Sequence, residues 1–144
     1  MTMDLIGSLL YFHAGFMLAA FFSMMSGATV AMFLRRKRWW LRFHKAAGIL
    51  GAVSVLFGLA AVISMITFSG GEHFEVLHTY LGAVTGVFAF ITPLLGTLQF
   101  KVQGHAAEIR VMHRWSGRLT LLFFVITIIS GLRLVGIVGD INKF

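Results

Sequence analysis

Four histidines, His13, His44, His78 and His113, stand near the start of four apolar stretches of a 144-residue chain. Three of them are followed four residues on by glycine, in His44-Lys-Ala-Ala-Gly48, His78-Thr-Tyr-Leu-Gly82 and His113-Arg-Trp-Ser-Gly117, and the first by Met17. An imidazole in hydrocarbon is costly without a partner, so an intramembrane histidine points to function. An interhelical hydrogen bond accounts for a lone one equally well. Four in register ask for more, because two neutral imidazoles facing each other across a bundle can supply both axial nitrogens of a haem iron.

The stretches that must position them are long and apolar. Hydrophobic residues make up 58% of the chain and charged ones 12%, against roughly 25% charged in an average soluble protein. Four runs, about 5–34, 43–69, 76–100 and 112–137, each exceed the roughly 20 residues that cross a hydrocarbon core. None shows the alternation of a barrel strand. The expected fold is an all-α membrane protein, an antiparallel four-helix transmembrane bundle forming a single domain over 1–144, with two haems in the bundle core. The first run lacks a basic n-region and is about twice as long as an h-region, so it reads as a retained helix and not a signal peptide. With no cysteine in the chain, disulfides, thiolate ligation and covalent c-type haem are excluded.

The net charge of +7 is concentrated at one side. Arg35, Arg36, Lys37, Arg38, Arg42 and Lys45 surround the first connection, and Lys101, Arg110, Arg114 and Arg118 the third, while Asp4, Glu72, Glu75 and Asp140 mark the other side with Arg133 and Lys143. The positive-inside rule makes the first and third connections cytoplasmic and puts both termini outside, with the plasma (inner) membrane of a prokaryote as the expected location. The cluster reads as a topology signal in contact with anionic lipid, not as a nucleic-acid site. His13 and His78 then share the outer leaflet, and His44 and His113 the inner one.

Helical phase supports the pairing. At about 100° and 1.5 Å per residue, positions 14 and 18 residues after a histidine return to its face about 21 to 27 Å deeper. Those positions hold Gly27, Gly58, Gly96 and Gly131, one per helix. A flat macrocycle clamped by two diagonal helices and flanked by the backbones of the other two needs such gaps. Gly82-x-x-x-Gly86 would let helices approach closely, and Pro93 predicts a kink in the third helix. Zinc usually wants three or four ligands converging on one point, which two histidines per level do not supply. A proton relay lacks any Asp or Glu in the helix centres. His73 and His105 fall in connections and read as solvated.

The spacing of His13, His44, His78 and His113, with "WWLRFH", "VLHTYLG" and "MHRWSGRL" around the last three, resembles the four-helix core of the cytochrome b561 family, in particular the form attached to DOMON domains. The resemblance covers nearly the whole chain. It implies two noncovalent bis-histidine haem b groups, with His13 and His78 as iron ligands of the outer one and His44 and His113 of the inner one. It also implies electron transfer across the bilayer; eukaryotic members take electrons from cytosolic ascorbate and reduce monodehydroascorbate or ferric iron on the far side. Typical members carry a further helix on each side of this core. "VLHTYLG" is similar to the family's "LHSWLG", with Tyr80 in place of Trp.

The expected function is therefore transmembrane electron transfer between a reductant (quinol, ascorbate-like or other) and an acceptor on opposite faces, as a carrier or an oxidoreductase in its own right. One alternative is a cytochrome b membrane-anchor subunit linking the quinone pool to a soluble redox enzyme. Another is a haem-free transporter or assembly protein. Propionates would need cations, for which Arg118 and Arg133 are the first candidates; snorkelling to headgroups is the competing use. Expected partners are membrane lipid and a small-molecule or protein redox donor and acceptor, with a homodimer or partner subunit over exposed faces.

Overall fold

The computed structural model describes residues 2–102 and 104–136, without the side chains of Thr2 and Met3. Four helices follow in order: α1 (Thr2–Phe33), α2 (Trp40–Ser69), α3 (Leu77–Leu98) and α4 (Ala106–Leu134). No strand occurs among the described residues. All four are long and apolar enough to cross a membrane, so the chain is an integral membrane protein with four spans among the described residues.

The boundaries differ from expectation most at α4, which begins six residues early at Ala106. Ala106-Ala-Glu-Ile-Arg110 continues the helical pattern beyond the apolar run, and His105 accepts the amide of Ile109 at 3.1 Å. At the other end α4 stops at Leu134, ahead of Gly136 in the left-handed region at φ 74°; Ile137, where the run was expected to end, lies outside the described residues. The end of α2 has a stated cause: Gly70 adopts φ 70°, and the amides of Gly70 and Gly71 return to the carbonyls of Thr67 and Ile66. α3 continues through Pro93.

Packing is strongly paired. α1 lies along α2 and α3 along α4, α2 and α3 share a narrower seam, and α1 and α4 touch least. Between α1 and α3, and between α2 and α4, no backbone approach occurs among the described residues. The first and third helices are thus one diagonal of the bundle, the second and fourth the other.

The interior is built from small and hydroxyl-bearing residues: Ala20, Ala47, Ala89, Ser54, Thr85, Ser116, Thr120 and Thr127 are buried, with Phe124 the largest fully buried side chain. Large apolar side chains such as Phe12, Phe22, Leu50, Phe57, Leu94 and Leu122 point outward. Lipid is as apolar as a leucine core, so helix association here depends on close approach and interhelical hydrogen bonds. Thr85 and Thr127 hydroxyls meet at 2.8 Å, and Thr92 bonds both Ser116 and Thr120, at 3.0 and 2.9 Å. Of the Gly82-x-x-x-Gly86 pair only Gly86 packs against a neighbour, Leu59 of α2; nothing lies within 4 Å of where a Gly82 side chain would start.

Candidate functional site

The four helix-borne histidines form two pairs across the diagonals. His13 and His78 face each other with ring centroids 6.3 Å apart and planes at 89°. His44 and His113 do so at 5.8 Å and 79°. The pairing inferred from leaflets is the pairing in space.

Each ring is held by the helix hairpinned to its own. His13 Nδ1 lies 2.9 Å from the carbonyl of Gly58, His44 Nδ1 2.9 Å from that of Gly27, and His113 Nδ1 2.9 Å from that of Thr92. A carbonyl only accepts, so Nδ1 carries a proton in all three, and in the neutral ring this leaves the lone pair on Nε2. His78 is bound differently, through the Ser130 hydroxyl at 3.0 Å. That hydroxyl donates to the Thr127 carbonyl at 2.8 Å, so it accepts from His78, and the tautomer is again Nδ1–H. Four imidazoles therefore present a free Nε2 lone pair, the form in which histidine ligates a metal, each oriented by a hydrogen bond on the other nitrogen.

The spacing also fits an iron between the rings. Two metal–nitrogen bonds of about 2 Å and two ring half-widths of about 1 Å place the centroids roughly 6 Å apart, against 6.3 and 5.8 Å here. Neither pair is joined by a third histidine or a carboxylate, since no group of three potential metal-binding residues occurs among the described residues.

The glycines at the deeper positions sit at the level of the opposite pair. A Cβ on Gly131 would lie 2.9 Å from His78 Cε1, and one on Gly96 3.0 Å from His113 Cε1. A Cβ on Gly27 would meet Ala47 at 3.0 Å and His44 Nδ1 at 3.7 Å, and one on Gly58 would meet Met17 Sδ at 2.9 Å. The close approaches they permit are to the histidines and to neighbouring helices. Two more features went unread in the sequence: the carbonyls that orient the rings, which carry no side-chain signal, and Ser130, whose place beside Gly131 was its only clue. Gly96 and Gly131 each follow a threonine by four residues, and without a side chain at that glycine the threonine's carbonyl is bare on that face.

Arg118 is exposed and its guanidinium lies over the Trp115 ring, 5.0 Å from the centroid; Arg133 is exposed in the last turn of α4. Among the described residues no hydrogen bond or ring contact joins either to a histidine pair. His73 is exposed in the α2–α3 connection, and His105 is exposed where it precedes α4. Around His44, Arg35 lies over Trp40 and Lys45 over Phe100, 5.9 and 4.2 Å from the ring centroids.

Fold and site together define a four-span membrane protein with two histidine pairs, one toward each end of its bundle. A family model described as eukaryotic cytochrome b561 matches residues 12–138, and the chain belongs to that family. The match spans all four histidines. Membership implies haem-based electron transfer across a membrane; the description names eukaryotes and lends no support to the prokaryotic location expected above. No curated protein and no solved structure matches the chain.

Proposed function

We propose that the chain carries electrons across the membrane through two b-type haems, one held by Nε2 of His13 and His78 and the other by Nε2 of His44 and His113. The observation that carries this is the pair of diagonal imidazole contacts, with every Nδ1 turned away to an acceptor on the neighbouring helix. Haem bound there would supply a one-electron centre at each level, and ligation by two histidines would leave no open position for oxygen. The residues of the chain set where the two centres lie, in what tautomer their ligands stand, and how dry the space between them is. Phe124, Val55, Ala20 and Ala89, all fully buried, fill that intermediate layer with apolar groups. Gly96 and Gly131 make room for the rings of His113 and His78, Gly27 and Gly58 let α1 and α2 approach beside the other two ligands, and Arg118 and Arg133 serve the propionates at the two levels.

The basic face carries the inner centre. Arg42, Lys45, Arg114 and Arg118 there suit an anionic reductant, with the acceptor at the opposite face and both termini outside the cytoplasm. The test is optical. Purified protein, oxidised and then reduced with dithionite, should give two haems per chain and a sharp α-band, and His44→Ala or His113→Ala should each remove one haem and leave the other. A colourless preparation, or two haems retained in both variants, overturns the assignment.

A further inference from the structure

Three of the four rings rest directly on a peptide carbonyl, and one does not. In the α3–α4 hairpin the two halves are built alike: Thr92 precedes Gly96 by four residues and Thr127 precedes Gly131 by four, so each threonine carbonyl is bared toward a histidine of the other helix. His113 takes the Thr92 carbonyl at 2.9 Å. The Thr127 carbonyl is taken instead by the Ser130 hydroxyl, which donates to it at 2.8 Å, and it is this hydroxyl that meets the His78 ring, at 3.0 Å. The residue corresponding to Ser130 in the other half is Leu95, which has no hydroxyl to interpose.

We infer that Ser130 is a positioning residue that sets the outer centre apart from the inner one by standing between the His78 Nδ1–H and the Thr127 carbonyl. An amide oxygen is a stronger acceptor than a hydroxyl. A histidine whose Nδ1–H is more strongly bound is the more basic ligand through Nε2, and a more basic ligand favours the oxidised metal. With its proton on a hydroxyl, His78 is the weaker donor of the four to its metal, and the His13–His78 centre is held at a higher potential than a direct carbonyl contact would give. Three residues thus make an adjustable element, Thr127 as acceptor, Ser130 as interposer and Gly131 as the gap in which the ring sits.

This inference rests on the haem reading above, and the experiment separates the two. Ser130→Ala, Ser130→Thr and the parent protein are purified, their haem content is measured, and each is titrated potentiometrically while low-spin ferric signals are followed by electron paramagnetic resonance. The outer step is assigned as the one that survives in His113→Ala. In Ser130→Ala, His78 falls onto the Thr127 carbonyl as His113 does onto Thr92. The outer step should move to lower potential by at least a threefold change in its one-electron equilibrium, about 30 mV, with its ferric signal displaced and the inner step unmoved. Ser130→Thr restores the hydroxyl and the parent values. Haem-free parent protein would sink the haem reading itself. Haem-replete Ser130→Ala with an unchanged outer step, an upward shift, or equal shifts of both steps would overturn the role given to Ser130 and leave the haem reading standing.

Discussion

A single atom decides much of what each histidine can do. With Nδ1 committed to an acceptor on the adjacent helix, the ring cannot turn about without abandoning a part-buried hydrogen bond worth about 1 kcal/mol net. The rings of His78 and His113 also fit only because the glycine beside each lacks a side chain. Gly131→Ala would put a methyl 2.9 Å from His78 Cε1 and Gly96→Ala one 3.0 Å from His113 Cε1, closer than carbon atoms approach at van der Waals contact. Both substitutions favour the helix intrinsically by up to about 1 kcal/mol, so a defect cannot be ascribed to helix propensity. We expect Gly131→Ala to lower occupancy of the outer centre alone and Gly96→Ala that of the inner alone, read as haem per chain and as loss of one reduction step. The histidines were legible because charged and polar types are rare in these spans, and the glycines because helical phase returns them to one face. The acceptors were not, because Gly27, Gly58 and Thr92 act through backbone oxygens, and a serine at position 130 resembles any serine bonding back to its own helix.

At the scale of the helix, the same permissiveness sets how closely neighbours approach. On Gly51 of α2, a side chain would run into Met24 and lie 3.3 Å from the backbone oxygen of Ala20 on α1. A methionine can yield, but a helix carbonyl moves only with its helix, so Gly51→Val should force α1 and α2 apart. Overpacking of that kind costs about 1–3 kcal/mol, visible as a lower thermal midpoint in detergent. Gly86→Ala makes the contrast: its new methyl would meet only Leu59 Cδ1, the tip of a flexible side chain, at 3.3 Å, and should leave the midpoint within experimental scatter. The number, order and span of the helices could be read from hydropathy alone, because lipid selects for long uninterrupted apolar runs. The start of α4 could not, since Ala106 to Arg110 is helical in a polar setting where hydropathy carries no signal. Pairing within the hairpins followed from short connections; the extent to which α1 avoids α4 did not, since nothing in either sequence face marks it.

For the whole molecule, charge separates the two ends. Arg35, Arg36, Lys37, Arg38, Arg42 and Lys45 surround the α1–α2 connection at the end that holds His44 and His113, while Glu72 and Glu75 lie in the α2–α3 connection at the other end. Basic connections resist translocation, so this asymmetry predicts that the α1–α2 connection faces the cytoplasm, with the His44–His113 pair nearest it. The chain has no cysteine, so a single introduced thiol reports the side on which it sits. Lys37 and Gly71 are exposed in the first and second connections, away from both histidine pairs. On intact cells that carry the chain in their plasma membrane, a membrane-impermeant maleimide should label Gly71→Cys and spare Lys37→Cys, and permeabilisation should render both reactive. The opposite pattern would invert the molecule in its membrane. It would exchange the cytoplasmic and outer designations of the two centres while leaving each pair intact, because pairing is set by the bundle's diagonals and orientation by the charge around its connections.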